Sequence, residues 1–387
     1  MFSFLLAIIY LAFISLGLPD SLLGSAWPVM RVEFGASLSF AGVIAMIVAG
    51  GTIISSLASD RLTRRFGAGL VTAVSVAMTA AALFGFSAAS SPLMLCLIAI
   101  PYGLGAGGVD AALNNYVALH YSGRHMSWLH CMWGVGASIS PYIMSFCIAR
   151  GNWRNGYLTV SILQIVLTLF LFLSLPLWKK RSAPSENGEE VDARPLGITG
   201  ALKIRGVPYI LIAFFAYCAL EGTTGLWAAS YFVEARGIDE QTAASFASLF
   251  YLGITFGRLL NGFIADKLGD RFLIRLGSLI MLGGMVLVML PWEVCALGGL
   301  LVIGLGCAPV YPCIIHSTPT NFGRENSQAI VGIQMASAYV GSTFIPPLFG
   351  LIAGHISIGW YPFFLAAFAI LMLAMTERLN AMFKTRH

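Results

Sequence analysis

Charged residues are scarce in this sequence. Asp, Glu, Lys and Arg make up 10% of the 387 residues, whereas hydrophobic residues make up 58%. A soluble globular domain carries about 25% charged residues, so the composition excludes that class and indicates a chain that lies in a lipid bilayer. The net charge of +5 is too small to suggest a nucleic-acid partner.

The sequence also lacks the motifs of metal binding, disulfide frameworks and nucleotide hydrolysis. Its seven cysteines all lie in apolar segments, without a CxxC pair or a cluster at metal-ligand spacing. We therefore expect core thiols, no disulfide and no metal. No GxxxxGK[ST] loop supports an ATP-driven pump, and no HExxH or spaced Ser/His/Asp arrangement supports an enzyme. No cofactor is expected.

The amino terminus has no basic region of the kind that begins a signal peptide. Met1-Phe2-Ser3 leads directly into an apolar run that continues to Met30, which is too long for the apolar part of such a peptide. We expect a retained first membrane span.

Apolar runs long enough to cross a bilayer recur along the whole chain, since a spanning helix needs about 20 residues. The sequence predicts an all-α membrane protein with twelve transmembrane helices in two bundles of six, residues 1–178 and residues 206–387. A hydrophilic, flexible linker covers residues 179–205. The predicted spans are 3–31, 37–59, 66–88, 92–119, 125–149, 153–178, 206–234, 239–264, 271–290, 293–318, 325–354 and 358–377.

Lysine and arginine are unevenly distributed over the predicted loops. Seventeen lie on one set of alternate loops and four on the other, and Arg258 lies inside a span. Because cytoplasmic loops carry the excess of basic residues, we expect a protein of the cell inner membrane with both termini and the linker in the cytoplasm. We expect it to be a monomer.

The two halves of the chain resemble each other at an offset of 200 to 206 residues. Gly103-Leu104-Gly105 is echoed by Gly304-Leu305-Gly306, and Ser140-Pro141 by Ile345-Pro346. Two similar halves with a binding site between them near the bilayer midplane are typical of secondary transporters.

Two charged loops at matching repeat positions carry the most specific motif. The second loop contains Gly262, Asp266, Lys267, Gly269 and Arg271, and the first contains Asp60-Arg61-Leu62-Thr63-Arg64-Arg65. They resemble the Gly-x-x-x-Asp-Arg/Lys-x-Gly-Arg-Arg/Lys signature of the major facilitator superfamily, with Ser56 and Thr63 of the first copy in place of Gly. The resemblance implies two six-helix bundles around a central cavity.

A carboxylate at a helix end can pair with arginine and cap a neighbouring helix, and such a contact can lock one of two bundle arrangements. The alternative is that these basic residues only anchor the loops on the cytoplasmic side. The residues that we assign to a conformational switch are Asp60, Arg61, Arg64, Arg65, Arg258, Asp266, Lys267 and Arg271.

Three acidic residues lie deep in predicted spans: Asp20 in the first, Asp110 in the fourth and Glu221 in the seventh. A bare charge in such a place costs at least about 2.5–3.5 kcal/mol, so each should face a cavity, take a partner or bind a proton. A desolvated carboxylate can be protonated near neutral pH. We predict proton coupling by these three residues; the alternative is a carboxylate permanently satisfied by Asn or Tyr.

The surroundings of Asp110 narrow the resemblance. Asn114 follows four residues later, on the same helical face, and glycines at 103, 105, 107 and 108 allow a neighbouring helix or a ligand to approach the backbone closely. The pattern Gly-x-Gly-x-x-Asp-x-x-x-Asn-x-Tyr-Val resembles the fourth helix of the fucose permease type, with Asn115 where that pattern prefers Pro. The resemblance implies sugar binding and proton coupling at Asp110, and protonation at Asp20.

Further candidates come from the fifth, seventh, tenth and eleventh spans. Trp128-Leu129-His130-Cys131-Met132-Trp133-Gly134-Val135-Gly136 resembles the helix-five motif of the same group, so His130 can contact a sugar hydroxyl and Trp133 can stack on a pyranose. Small residues and prolines interrupt the seventh and tenth spans, which is typical of sites and gates. Helix packing is the alternative role for each. The substrate-binding candidates are Asn114, Asn115, His130, Trp133, Trp227, Tyr311, His316, Gln334 and Tyr339.

The leading hypothesis is therefore proton-coupled symport of a small hydroxylated solute, a monosaccharide in the first place, by alternating access. The alternative is a proton-coupled antiporter that exports drugs or metabolites, because acids in the first and fourth helices also serve that role. Gly134-Val135-Gly136-Ala137-Ser138-Ile139-Ser140-Pro141 resembles an antiporter motif of helix five, but without its Gly-Pro. A membrane sensor is disfavoured because the sequence has no appended signalling domain.

Overall fold

The structure is a computed structural model that describes residues 4–36, 40–179, 196–238 and 240–384. Within these ranges the regular elements are all helical, so the predicted all-α class is confirmed. The α-helices are α1 (Phe4–Gly17), α2 (Leu22–Phe34), α3 (Phe40–Phe66), α4 (Ala68–Ser87), α5 (Pro92–His120), α6 (Gly123–Ala149), α7 (Arg154–Lys179), α8 (Gly197–Lys203), α9 (Val207–Arg236), α10 (Glu240–Leu268), α11 (Asp270–Met289), α12 (Glu293–His316), α13 (Thr318–Phe322), α14 (Arg324–His355) and α15 (Tyr361–Lys384).

Eleven helical stretches of the described residues are long and apolar enough to cross a membrane. The first of them, Phe4–Trp27, includes both α1 and the start of α2. Helix α10 has 29 residues and is also long enough, but it contains four charged residues. The twelve predicted spans therefore each have a helical counterpart, and the first is broken rather than continuous.

Glycines bring α3 and α5 into backbone contact. A Cβ atom at Gly103 would collide with the carbonyl oxygen of Val48, and one at Gly107 would collide with that of Thr52. The predicted close approach of another helix to this glycine-rich segment is confirmed. Because the two backbones touch, α5 has little freedom to slide, and the polar residues that follow Gly107 are held in a fixed position.

Contacts divide the chain into two compact units. Unit 1 comprises the described residues of Met1–Tyr116 and Met132–Ile198, and unit 2 those of Val117–Cys131 and Thr199–His387. The end of α5 and the start of α6 thus belong with the second unit. The predicted linker run 180–195 lies outside the described residues, and the proposed bundle limits at 178 and 206 stay predictions.

A polar cluster fixes the end of α2 in unit 1. Glu33 accepts hydrogen bonds from Trp153 Nε1 at 2.6 Å and pairs with Arg154 Nη1 at 2.7 Å, and Arg154 Nη2 donates to the Ala89 carbonyl at 2.9 Å. The indole hydrogen bond, together with the guanidinium, holds the pKa of Glu33 below its usual value of 4.5. The cluster connects α2 to the segments that precede α5 and α7.

All seven cysteines are free thiols in the structure, and five of them are buried. Within the described residues, no group of three or more His, Cys, Asp or Glu side chains is arranged to hold a metal ion.

Candidate functional site

The first membrane span is interrupted at its acidic residue. A 3-10 turn, Leu18–Ser21, separates α1 from α2. Pro19 lies in this turn, and its ring lacks the N–H group that a continuous helix would use. Asp20 therefore stands at a helix break, and it is exposed although it lies within the apolar stretch Phe4–Trp27.

The carboxylate of Asp20 has a partner on α6. Trp133 Nε1 donates a hydrogen bond to Asp20 Oδ2 at 2.8 Å. Helices α1 and α6 touch near this bond, since a Cβ atom at Gly136 would collide with the carbonyl oxygen of Ile14. The carboxylate of Asp110 on α5 also acts electrostatically on Asp20. Unit 1 thus brings together three predicted site residues, and Trp133 contacts a carboxylate through its N–H group.

Asp110 and Asn114 form a buried polar pair on α5. Asn114 Nδ2 donates to Asp110 Oδ1 at 2.7 Å and to the Asp110 carbonyl oxygen at 3.0 Å. The side chains are almost completely buried, as is that of Asn115. The prediction that Asp110 and Asn114 share one helical face is confirmed. Because an amide donor satisfies the carboxylate from one side, Asp110 is stabilised within apolar surroundings.

A small cavity with room for about one water molecule lies next to the helix break. Ser15, Pro19, Thr79 and Gln164 are among its lining residues. Gln164 Nε2 donates to the Ser15 carbonyl at 2.8 Å, and its Oε1 accepts from Thr79 Oγ1 at 2.9 Å. Sequence reasoning missed Gln164, although an amide within the apolar span 153–178 was a usable signal.

Glu221 lies in unit 2 and pairs with Arg258. Arg258 Nη2 is 3.5 Å from Glu221 Oε1, and the guanidinium is only 3% exposed. Tyr217, one turn before Glu221, is buried and donates its hydroxyl to the Cys307 carbonyl at 3.1 Å. The sequence placed Arg258 inside a span and assigned it to the conformational switch, and in the structure it lies inside α10, about two turns before Asp266. Tyr217 was missed, although its spacing from Glu221 could have identified it.

Two further candidates join this group in unit 2. The rings of His130 and Tyr311 meet edge to face with centroids 4.6 Å apart, and Tyr311 makes a similar contact with Phe214. Arg258 acts electrostatically on His130. The structure thus gathers Glu221, Arg258, His130 and Tyr311 in one cluster within unit 2.

The aromatic candidate Trp227 lies on the packed surface between α9 and α14. Trp227 Nε1 donates to the Pro346 carbonyl at 2.8 Å, and its ring contacts Phe349. Tyr339 is half-buried on α14. The indole hydrogen bond of Trp227 ties two helices together, so its contacts favour the packing role that we considered for it.

Two other candidates contact the first residues of other helices. His316 is the last residue of α12, and its Nδ1 is 2.7 Å from Asp270 Oδ2 at the start of α11. Gln334 is fully buried and accepts a hydrogen bond from Thr318 Oγ1 at 3.1 Å. His316 therefore lies where α12 ends and α11 begins, and its role in substrate binding stays a prediction.

The second signature copy caps a helix. Asp266 Oδ1 accepts from the backbone N–H of Arg124, and Oδ2 accepts from Ser122 Oγ, each at 3.0 Å. Arg124 Nε also lies 3.4 Å from Asp266 Oδ2. These groups are at the start of α6, where a carboxylate satisfies free N–H groups and the helix dipole. Of the other basic switch residues of this copy, Lys267 is exposed and Arg271 Nη2 donates to Asn321 Oδ1 at 3.4 Å.

The first signature copy is built differently, and the predicted loop over Asp60–Arg65 is wrong. This segment is helical, and α3 continues to Phe66 before Gly67 turns the chain with φ of 80°. In the second copy Gly269 turns the chain with φ of 76°, directly after α10. Such positive φ angles favour glycine, and Thr63 cannot take that role. The turn of the first copy is therefore displaced by about one helical turn.

The displaced turn changes the partners of Asp60. Its Oδ1 pairs with Arg64 Nε of the same helix at 2.7 Å, whereas its Oδ2 is buried without a hydrogen-bond partner. Arg61 and Arg65 are exposed. Asp60 lies one turn deeper in its helix than Asp266 does, so it is only 5% exposed.

The chain matches the family model described as Major Facilitator Superfamily over residues 9–330, with an overlapping match over 209–386. Among solved structures it is similar to the transporter FucP in the outward conformation, with a TM-score of 0.79 and 14% identity over 97% of this chain and 98% of that one. The proton:xylose symporter XylE gives the same TM-score and identity over 96% and 94%. At these identities the likeness shows the fold.

Curated relatives are distant in sequence. Bypass of stop codon protein 6 of Saccharomyces cerevisiae is 23% identical over 66% of this chain and 56% of its own length. The cis,cis-muconate transport protein of Acinetobacter baylyi is 25% identical over 65% and 63%. The matches thus span less than two thirds of these two relatives. The glucose/mannose transporter GlcP of Bacillus subtilis is 21% identical over 88% of this chain and 86% of its own length.

Proposed function

Since the chain belongs to the major facilitator superfamily and is a multi-pass membrane transporter of small molecules, we propose that it carries out proton-coupled symport. Its solute is a small hydroxylated molecule, a monosaccharide in the first place, and the mechanism is alternating access. This choice is supported by the relative GlcP, described as a glucose/mannose transporter, and by two structural neighbours, the fucose:proton symporter FucP and the proton:xylose symporter XylE. We place the protein in the cell inner membrane as a monomer with cytoplasmic termini.

The observation that carries the proposal is the position of Asp20. Its carboxylate stands at a helix break inside a membrane span, is exposed, and is held by one indole N–H. Irregular backbone within a membrane span is typical of sites where substrates or ions bind. A carboxylate in such surroundings can accept a proton when the site opens to water.

Asp110 supplies a second carboxylate that acts on Asp20, and Asn114 supplies amide groups beside it. When both acids are ionised they repel each other, so binding one proton to the pair relieves this repulsion. We assign the proton to Asp20, because it is the accessible member, and solute contacts to Asp110 and Asn114. Glu221 contributes a further acid in unit 2.

Uptake by purified protein in proteoliposomes tests the proposal. A panel of radiolabelled sugars is offered with and without an imposed proton gradient, and counterflow exchange serves as the measure of binding and turnover. Asp20→Asn should abolish gradient-driven accumulation but retain exchange. Glu377→Gln, which alters an exposed acid paired with Arg275, is the matched control and should behave like the unaltered protein.

Undiminished accumulation by the Asp20→Asn variant would refute the assignment of the proton. If no sugar is accumulated under a gradient, whereas lipophilic cations are exported against one, the antiporter alternative replaces symport.

A further inference from the structure

A buried ion pair stands in the middle of unit 2, apart from the carboxylates of unit 1. Glu221 is the central residue of the 30-residue helix α9, and Arg258 lies within α10. Each charge costs at least about 2.5–3.5 kcal/mol at such a depth. Two apolar residues would join α9 to α10 at less cost, so the pair calls for a functional explanation.

The two partners differ in accessibility. The Glu221 side chain is 22% exposed, whereas the Arg258 side chain is 3% exposed. The carboxylate is therefore the more accessible member of the pair. Arg258 presents a planar fork of donors, and this fork matches a carboxylate better than it matches a sugar hydroxyl.

We propose that Arg258 binds a carboxylate group of the transported solute, and that Glu221 takes the place of that group in the empty protein. The solute class is then a hydroxylated monocarboxylate, that is, a sugar acid. This inference rests on the proposed uptake of a small hydroxylated solute and specifies its chemistry. Tyr311 and His130 provide the aromatic faces and polar atoms next to the carboxylate site.

Charge balance explains how the exchange proceeds. In the empty protein Glu221 and Arg258 sum to zero. When Glu221 takes up a proton it no longer attracts Arg258, and the carboxylate of the solute pairs with the guanidinium instead. The loaded site again sums to zero, because the proton on Glu221 enters with the monoanion; this proton is additional to the one assigned to Asp20. Neither state leaves an uncompensated charge within the membrane.

Among the described residues, no second carboxylate acts on Glu221, and His130 and Tyr311 face its partner Arg258. Gly222, beside Glu221, packs against Ser342 and Pro346 of α14, which do not titrate in the physiological range. Tyr361 of α15 donates to the Thr224 carbonyl at 3.3 Å. The titratable and charged groups on which Glu221 acts are Tyr217 on its own helix, Tyr251 and Arg258 on α10, and Cys307 on α12.

The test compares three probes that differ at one position: D-glucuronate, its neutral amide D-glucuronamide, and D-glucose. The full-length protein in proteoliposomes should take up glucuronate at least tenfold faster than glucuronamide under an inward proton gradient. Arg258→Gln should remove this preference. Arg275→Gln, which breaks the exposed pair with Glu377 at 2.8 Å, is the matched control and should keep it.

A lone Glu221 left by Arg258→Gln is itself a buried charge that could prevent folding, so two further variants complete the test. Glu221→Gln mimics the protonated acid and should bind glucuronate with an affinity that no longer varies between pH 6 and pH 8. In the unaltered protein the affinity should fall by up to tenfold per pH unit. The double variant Glu221→Gln/Arg258→Gln carries neither charge and should lose the preference for glucuronate.

The outcomes separate the two proposals. Gradient-driven uptake of glucose and glucuronamide at or above the rate for glucuronate overturns the carboxylate site and leaves symport standing. Glucuronate uptake that requires Arg258 but not a proton gradient overturns symport and the proton exchange at Glu221, and leaves only the contact between Arg258 and the solute carboxylate standing. Retained preference in the double variant overturns the role of Arg258, and uptake of none of the probes overturns both proposals.

Discussion

Replacing Asp266 by Ala should destabilise the protein much more than the equivalent change at Asp60. The two residues occupy the same place in the duplicated signature, but their contacts differ. Asp266 accepts two hydrogen bonds at the start of α6 and pairs with Arg124. Asp60 pairs only within its own helix and buries one carboxylate oxygen without a hydrogen-bond partner.

The contacts give the magnitudes. Two hydrogen bonds contribute about 0.5–1.5 kcal/mol each, and the exposed ion pair adds at most about 1 kcal/mol. Asp266→Ala should therefore cost about 1–4 kcal/mol. Asp60→Ala loses a pair worth about 0.3–0.5 kcal/mol and removes an unsatisfied buried oxygen that costs about 1–3 kcal/mol. It should be neutral or stabilising.

Equilibrium unfolding in mixed detergent micelles at pH 7 measures both changes against the unaltered protein. Repeating the measurement at high salt separates the contributions, since salt screens the exposed pair with Arg124 but leaves the hydrogen bonds. Asp266→Asn, which keeps an acceptor oxygen, should cost about 1 kcal/mol because it loses the charge. Equal losses for the two alanine variants, or a larger loss at Asp60, would refute the reasoning.

Three further predictions concern unit 1. Trp133→Phe keeps an aromatic ring but removes the N–H donor to Asp20, a hydrogen bond worth about 1.5–3 kcal/mol. Gradient-driven uptake at pH 7 should therefore change at least tenfold, whereas counterflow exchange should change much less. Equal changes in the two assays would indicate that Trp133 has a packing role alone. Gly136→Ala places a Cβ atom against backbone and should cost about 1–3 kcal/mol in the same unfolding assay, whereas Gly298→Ala, which meets open space, should not destabilise. The lowered pKa of Glu33 stabilises the folded protein above pH 4.5, and this stabilisation is lost as the pH falls below 4.5. Its size is under about 1 kcal/mol because the side chain is 43% exposed. In the Glu33→Gln variant, the part of the acid sensitivity that comes from Glu33 should be absent.

The sequence sufficed for features that depend on local spacing or composition. The helical spans follow from runs of apolar residues, and the Asp110–Asn114 pair follows from a separation of four residues on a helix. The glycine contacts of α5 were predicted for the same reason, because residues without a side chain permit close packing. These properties require no knowledge of which helices are neighbours.

Features that depend on which helices are neighbours could not be predicted from the spacing of residues along the sequence. The pairing of Glu221 with Arg258 requires α9 and α10 to place two particular faces together, and spacing along one helix cannot reveal it. The bond from Trp133 to Asp20 likewise depends on how α6 meets α1. Pro19 was a readable signal of a break, but the surrounding apolar run concealed it.

The displaced turn after α3 bears on the history of the chain. Asp20 and Glu221 are 201 residues apart, as are Gly103 and Gly304, and the turn glycines Gly67 and Gly269 are 202 apart. Asp60 and Asp266 are separated by 206, and Pro141 and Pro346 by 205. A duplication followed by local insertions and deletions accounts for this pattern. An engineer who transfers residues between the two halves should take the offset from the segment concerned and not apply one value throughout.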